Sequence, residues 1–476
     1  MSKDHDSNGF SHEIITDESA NTKATDKSIS IEILASRSKL TTFQTCAILV
    51  SSIGGSGLFA AMSTIMKTTG SVGVLLITLL VCGLLNYSLA MCFTEVAILL
   101  PKSGGPYFFI KQVFGGFPAF LFIWGFFFLI ITPVWALSSY ISALYIVQLF
   151  FQGCHPPIMA VKMLAAVILV LVVLLNCSHL KYVTKLQTAL TSSKLIAMIL
   201  ICVLGVVAVA KGEVTNYSEV FEGSATNPGD YAVSILSGMF FYGGWQMITF
   251  LLEEMEDPKK NLPKTLRISF VIIITLTELV VAAYFVGLSP REVLHADAVA
   301  VEFVNKIYPP LAPVQALLIM ATSIGSLNAA VLAQSRLVSA AARQGHLPLI
   351  LSFCSQKYNM PIATSFTICC ISLLVLFLMD LSYLIIMTSF MATVMGLAVL
   401  LCLLALRYRQ PQAERPYKVW LGTAIFQLVL NVATLLMSIY KQPSQIGLLA
   451  VFICVGHRCM QFLYSGRLSR DLGYLL

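Results

Sequence analysis

Twelve long apolar stretches dominate this sequence, and they restrict the chain to very few folds. Each is long enough to cross a bilayer as a helix, which takes about 20 predominantly apolar residues. Transmembrane barrel strands are excluded, because such strands span about 10 residues and alternate in polarity. The sequence therefore predicts an all-α integral membrane protein with twelve transmembrane helices, at residues 41–66, 71–98, 117–150, 158–178, 186–210, 231–252, 268–288, 311–340, 361–380, 382–407, 418–438 and 444–464.

The composition agrees with this class, and the two ends of the chain are expected to lie outside the membrane domain. Hydrophobic residues make up 57% of the sequence and charged residues only 11%, whereas soluble domains carry about 25% charged residues. Residues 1–40 are polar and have no apolar run, which predicts a disordered tail. We expect a twelve-helix domain at 41–466 and a short tail at 467–476.

The basic residues predict the orientation in the membrane. Most of the 30 Lys and Arg residues fall in the predicted loops that lie on the same side as both ends of the chain, such as Lys259, Lys260 and Arg267. Cytoplasmic loops carry an excess of Lys and Arg. Both tails are therefore expected in the cytosol, and the net charge of +7 requires no nucleic-acid partner, since anionic lipid accounts for it.

The first span contains the glycine-rich stretch "SSIGGSGLFA", residues 51–60, where a stable helix would carry larger residues. Small residues can serve close packing between helices. Alternatively, the helix is unwound there, which is tolerated in a membrane only where the backbone lines a cavity or is buried in protein. The N–H groups and carbonyls that unwinding frees can bind anions and cations respectively.

A second glycine pair favours unwinding. Gly243 and Gly244 lie in the middle of span 6, beside Tyr242 and Trp245 and five helices after the first break. Interruptions at corresponding positions of two halves are typical of inverted-repeat transporters, whose binding site lies near the bilayer midplane. We therefore predict two five-helix repeats followed by two C-terminal helices.

Free backbone groups at two such breaks suit an amino acid zwitterion. Its carboxylate can accept hydrogen bonds from the N–H groups of the first break, and its ammonium group can donate to freed carbonyls of both breaks. An aromatic side chain, Phe240, is placed to close the site as a gate, although a lipid-facing Phe is an equally simple interpretation. The predicted substrate-binding residues are Ile53, Gly55, Ser56, Gly57, Phe240, Gly243 and Gly244.

The twelve cysteines show no metal-binding spacing, so no metal or cofactor is expected. The sequence also contains no catalytic constellation and no phosphate-binding loop, so neither an enzyme nor an ATP-driven pump is expected. Cys154 differs from the other cysteines, because it lies in the predicted extracellular loop "FFQGCHPP" without an obvious partner. Either an intermolecular disulfide or a free thiol would account for it.

Four motifs resemble the light chains of the heteromeric amino acid transporters, in the amino acid–polyamine–organocation superfamily. "GSGLF" is similar to the GSGIF signature of span 1, and "FYGGWQ…EEMEDPKKNLP" is similar to the family's span 6. "SRLVSAAARQGHLP" (335–348) resembles the segment after span 8, and "LRYRQPQAERPYKV" (406–419) resembles the loop between spans 10 and 11. The resemblance covers nearly the whole chain after the tail.

This resemblance implies a LeuT-like fold with discontinuous helices 1 and 6 and sodium-independent exchange of amino acids across the plasma membrane. It also implies a single-span type II glycoprotein, the heavy chain, which is bound through a disulfide at the position of Cys154. The sequence departs from the family pattern at Gly54, at Gln246 after the span-6 Trp, and at Ala392 with Thr393 in span 10. For that reason the family's substrate preferences are not transferred.

The charges predict a neutral substrate. Members that take anionic substrates would be expected to carry Arg in span 3 or span 10, but the matching span-3 residue is Thr132 and span 10 has no cation before Arg407. An unpaired buried charge costs several kcal/mol, so neutral L-amino acids are favoured. A transporter of cystine or acidic amino acids, and a non-transporting amino acid sensor on the same scaffold, remain as alternatives.

Glu278 is an isolated acidic residue within span 7. An intramembrane carboxyl group is by default a candidate functional site, here for a proton or a cation. The alternative is a neutral or locally paired side chain, which we favour because the family pattern has an apolar residue at this position.

Overall fold

The structure is a computed structural model that describes residues 41–54, 62–102, 104–151, 156–178, 180–212, 220–250, 252, 255–296, 298–355, 360–441 and 458. All regular elements in these residues are helices. They are α1 (Thr42–Ser52), α2 (Met62–Thr69), α3 (Val72–Leu99), α4 (Gly105–Phe114), α5 (Gly116–Phe126), α6 (Thr132–Gln148), α7 (Ile158–Asn176), α8 (Leu180–Ala210), α9 (Pro228–Phe241), α10 (Pro258–Gly287), α11 (Pro290–His295), α12 (Val299–Ile307), α13 (Ala312–Arg343), α14 (Ile362–Leu378), α15 (Leu381–Arg409) and α16 (Leu421–Lys441).

Three short 3-10 helices and one π-helix complete these elements. The 3-10 helices are Trp245–Phe250, Pro309–Leu311 and Leu349–Ser352. The π-helix, Phe127–Ile131, joins α5 directly to α6. Together these three form one continuous apolar helix, Gly116–Gln148.

Seven helical segments in the described part of the chain are long and apolar enough to cross a membrane. They coincide with predicted spans 2, 3, 4, 5, 7, 8 and 10, and helices α14 and α16 lie where spans 9 and 11 are predicted. Predicted spans 1 and 6 each contain an interrupted helix, while predicted span 12 lies outside the described residues. The seven segments are Val72–Leu99, Gly116–Gln148, Ile158–Asn176, Lys185–Ala210, Pro258–Gly287, Pro309–Arg343 and Tyr383–Arg409.

The two interrupted helices pack against different partners. Helix α1 lies against α8, α10 and α13, whereas α9 lies against α2 and α3. Helix α13 also packs along α6 and α8, so the end of α1 is enclosed by long continuous helices. This enclosure is what allows the chain to leave the helical path inside the protein, because non-helical backbone at membrane depth must not face lipid.

A buried ion cluster ties the loop before α16 to α3 and α15. Glu95, at the end of α3, is completely buried. Its carboxylate accepts two hydrogen bonds from Arg407, one from Nε at 2.9 Å and one from Nη2 at 2.6 Å. Arg415 lies 3.6 Å away, and the backbone N–H of Val419 donates to the same carboxylate at 2.7 Å. The carboxylate is thus satisfied from three sides, as a buried charge requires.

Candidate functional site

The two interrupted helices meet at their breaks. Helix α1 ends at Ser52, after which Ile53 is extended and Gly54 adopts a left-handed conformation with φ +62°. The N–H of Gly54 donates to the carbonyl of Gly243 at 3.1 Å. The unwound backbone of one break therefore satisfies part of the unwound backbone of the other.

Gly244 permits this close approach. Its φ of +100° is strained for any residue with a side chain. A Cβ atom at this position would lie 2.2 Å from the carbonyl oxygen of Ser52. Only glycine therefore allows the chain after α9 to pass directly over the end of α1.

Lys194 of α8 binds the carbonyl end of α1. Its ammonium group donates to the carbonyls of Val50, at 2.9 Å, and Ile53, at 2.5 Å, and the side chain is only 1% exposed. The C-terminal end of a helix carries partial negative charge, and in broken-helix transporters such carbonyls coordinate a cation. Here the side-chain amine of Lys194 donates to these acceptors instead.

A cavity of about 140 Å³ lies beside the two breaks. An engineered cavity of about 150 Å³ accommodates benzene, so the space suits a small organic molecule. Its described lining residues come from ten of the elements above and from the two breaks, and none of them is charged. They are Ser52, Gly54, Asn86, Leu89, Phe93, Phe126, Ile130, Val134, Leu137, Ser138, Met239, Gly243, Gly244, Trp245, Gln246, Met247, Phe250, Ser326, Gln334, Thr388, Ser389, Ala392, Thr393, Met395, Gly396, Leu430, Asn431 and Thr434.

The segment after the second break is held by its side chains. Trp245 donates its indole N–H to Asn86 of α3 at 3.1 Å, and its ring packs edge-on against Phe93 with centroids 4.8 Å apart. The side-chain oxygen of Gln246 accepts the N–H of Gly244 at 3.1 Å. The glutamine that departs from the family pattern thus caps one of the N–H groups that unwinding frees.

The predicted substrate-binding residues fall into three groups. Gly243 and Gly244 line the cavity, whereas Ile53 is not among its described lining residues and its carbonyl accepts from Lys194. Gly55, Ser56 and Gly57 lie outside the described residues, as does Cys154. Phe240 lies in the last turn of α9. The structure does not describe its side chain, so its role as a gate stays a prediction.

Among the departures from the family pattern, Gly54, Gln246, Ala392 and Thr393 all line the cavity. Thr132 is not among the described lining residues, and its hydroxyl donates to the carbonyl of Phe128 at 3.1 Å.

Sequence reasoning missed Lys194 and the contribution of α16. Lys194 is a lone cation inside a predicted span, which is itself a signal of function. Helix α16 places Gln427, Asn431 and Thr434 at intervals of four and three residues in an apolar segment, so that they share one helix face. A search for intramembrane polar residues on a common face would have found them.

Glu278 is not among the described lining residues of the cavity. Its carboxylate interacts electrostatically with Cys82 of α3 and with Tyr242. Its Oε1 atom has no hydrogen-bond partner in the described part of the chain. A neutral or locally paired Glu278 stays a prediction.

The chain matches the amino acid permease family over residues 40–456. It is 32% identical over 412 residues to the large neutral amino acids transporter small subunit 2 of Mus musculus, covering 85% of this chain and 76% of that protein. It is 30% identical over 417 residues to the b(0,+)-type amino acid transporter 1 of Mus musculus, with 88% and 86% covered. It is also 32% identical over 419 residues to the Homo sapiens cystine/glutamate transporter, with 88% and 83% covered.

These matches confirm the resemblance that the four motifs indicate. They extend over the two breaks, the cavity and the ion cluster, so they concern the whole helical domain rather than one segment. The chain therefore belongs to the amino acid permease family and, within it, to the light chains of the heteromeric amino acid transporters, which are multi-pass membrane proteins.

Proposed function

We propose that this protein exchanges neutral L-amino acids across the plasma membrane by alternating access and without sodium. The observation that carries the proposal is the meeting of two interrupted helices beside a cavity whose described lining is uncharged. In the proposed fold, twelve helices form a LeuT-like bundle of two inverted five-helix repeats, with α1/α2 and α9 as the discontinuous first and sixth spans.

The backbone of the breaks would hold the charged ends of the substrate. N–H groups of Gly55, Ser56 and Gly57 would bind the carboxylate, as helix N-termini bind anions. The carbonyls of Phe240 and Gly243 would accept from the ammonium group. The Gly243 oxygen, which already accepts from Gly54, has a second lone pair for this purpose. Phe240 would close the site.

The uncharged lining supports a neutral side chain over an acidic one. A substrate with a second carboxylate would bring a charge into a space where no described residue offers a cation. Such a charge costs several kcal/mol when it is buried without a partner. The relatives do not distinguish between these classes, because one is named for large neutral amino acids and another for cystine and glutamate. The support for a neutral substrate therefore comes from the cavity.

Lys194 supports independence from sodium. In broken-helix transporters, a sodium ion is coordinated by unwound carbonyls and half-helix ends. The Lys194 ammonium group donates to two such carbonyls, those of Val50 and Ile53. A protonated lysine there would supply the positive charge that a sodium ion would otherwise bring.

The relatives support a heavy-chain partner, since one of them is named as a small subunit. We propose a single-span type II glycoprotein that forms a disulfide with Cys154 on the extracellular side. In this topology the tails at 1–40 and 467–476 both lie in the cytosol. The basic loop residues predicted to share their side are the reason for this orientation.

The proposal is tested by uptake of a panel of labelled amino acids into cells that express the chain with and without each candidate heavy chain. Uptake of neutral amino acids that persists when sodium is replaced by choline is the expected result. Preferential uptake of glutamate or cystine would replace the neutral class by the acidic one. Surface expression without uptake under any pairing would favour an amino acid sensor.

A further inference from the structure

The cavity reaches beyond the two breaks to helix α16. Leu430, Asn431 and Thr434 of this helix line it, together with Asn86 and Leu89 of α3. No charged side chain is among the described lining residues at this end. A polar group in the wall of such a cavity is well placed to select among the side chains of bound molecules, because few polar groups define orientation in a mostly apolar site.

Helix α15 carries only small side chains where α16 reaches the cavity. Ala392 and Gly396 are one turn apart on α15, and both line the cavity. A Cβ atom on Gly396 would lie 2.8 Å from Oδ1 of Asn431 and 3.4 Å from Leu89. The absence of a side chain at Gly396 therefore leaves the space that the Asn431 amide occupies.

The amide of Asn431 is held in one orientation. Its Nδ2 donates to the backbone carbonyl of Gln427 at 2.8 Å and faces Oε1 of the same residue at 3.4 Å. Both neighbours are acceptors, so the nitrogen rather than the oxygen must face them.

Gln427 is itself anchored to α3. Its Nε2 donates to the carbonyl of Leu85 at 2.8 Å and to the hydroxyl of Ser88. This chain of contacts turns Oδ1 of Asn431 away from Gln427 and toward Gly396. In the described part of the chain, the hydrogen bonds of the Asn431 side chain all involve Nδ2, and none is donated to Oδ1.

We propose that Oδ1 of Asn431 is the acceptor for the substrate side chain, and that the preferred substrates are neutral amino acids whose side chains carry an N–H or O–H donor. This inference rests on the proposed transport function. The carboxamides of glutamine and asparagine and the hydroxyls of serine and threonine belong to this class, whereas leucine and methionine offer no donor.

The physical basis is the state of Oδ1 when the cavity is filled. An aliphatic side chain displaces water from this oxygen and leaves it without a hydrogen bond, whereas a side chain with a donor replaces the hydrogen bond that is lost. Sites built to pair with a polar substrate group discriminate strongly against analogues that lack the group. One neutral hydrogen bond of this kind corresponds to about a tenfold difference in affinity.

The test compares KM for glutamine and leucine in wild type and in Asn431→Leu, which keeps the branched shape and the number of side-chain heavy atoms and removes the acceptor. Rates are normalised to protein at the cell surface. The ratio of KM for glutamine to KM for leucine is expected to rise about tenfold in the variant. Asn176→Leu, which removes a buried amide of α7 outside the described cavity lining, is the matched control and should leave the ratio at its wild-type value.

Gly396→Ala supplies a second test that does not depend on replacing the amide. Its methyl group would lie 2.8 Å from Oδ1 and would displace it. The substitution should not disrupt α15 itself, because alanine has a higher helix propensity than glycine. The same ratio is expected to rise, by about threefold, since a displaced hydrogen bond is weakened rather than removed.

The outcomes separate the two proposals. Wild-type uptake with an unchanged ratio in both variants would overturn the assignment of Asn431 and leave the transport function intact. A wild-type protein that reaches the surface and takes up neither amino acid would instead overturn the transport function on which the assignment rests.

Discussion

Replacing Gly244 by alanine should uncouple the two interrupted helices. The new Cβ atom would lie 2.2 Å from the carbonyl oxygen of Ser52 and 2.9 Å from its carbon. Real Cβ contacts are longer than 3.0 Å, and both neighbours are backbone atoms that cannot swing aside. The break after α9 must therefore move away from α1 by roughly 1 Å, and a gap of that size removes about a quarter to a half of the attraction between packed atoms.

Two costs add at this position. A residue with a side chain at φ +100° is strained by about 1–3 kcal/mol, and overpacking a buried contact costs about 1–3 kcal/mol more. The movement also lengthens the bond from Gly54 to Gly243, which is 3.1 Å in the intact protein. In enzymes, a misplacement of 1 Å can reduce the rate by about a hundredfold, and we expect a loss of uptake of that order here.

The assay is initial uptake of a labelled neutral amino acid, normalised to surface protein, with thermal stability measured in detergent. Gly115→Ala is the control, because Gly115 has a similar φ of +95° but nothing within 4 Å of the added atom. We expect Gly115→Ala to lose some stability and keep most uptake, and Gly244→Ala to lose uptake. Wild-type uptake by Gly244→Ala would refute the close contact between the breaks.

Three further changes probe other parts of the account. Lys194→Met removes the amine that donates to the carbonyl of Ile53. Uptake should fall at least about tenfold, because each unsatisfied buried acceptor costs about 1–3 kcal/mol. Unchanged uptake would contradict the role of Lys194. Cys154→Ser should shift the heavy-chain complex to its separate subunits on a non-reducing gel, and a complex band that persists would exclude this disulfide. Glu95→Gln should lower stability by about 3–5 kcal/mol, because it leaves the largely buried Arg407 without its charged partner. Melting in detergent measures this, and an unchanged midpoint would argue against the ion cluster.

Much of the helical framework follows from hydropathy alone. Apolar length predicts where the spans lie, because a bilayer forces the backbone to satisfy its own hydrogen bonds within each helix. The breaks in spans 1 and 6 were also predictable. Glycines such as Gly243 and Gly244 have no structural use in the middle of a span unless the backbone must unwind or approach another helix closely.

The contacts between distant helices could not be predicted in the same way. Lys194 is visible as an intramembrane cation, but its sequence position does not reveal that it reaches the end of α1. The acceptor at Asn431 depends on a gap at Gly396, which only the packing of α15 against α16 creates. Hydropathy reports which residues are inside the membrane, and it says little about which helix each one faces.

The most direct test of the account is exchange by the purified complex in proteoliposomes. Vesicles loaded with unlabelled glutamine, in buffer free of sodium, should take up labelled neutral amino acids much faster than empty vesicles. Lys194→Met and Gly244→Ala should abolish this difference, whereas Gly115→Ala should retain it. Equal uptake by loaded and empty vesicles, or uptake that appears only when sodium is added, would contradict sodium-independent exchange through the two interrupted helices.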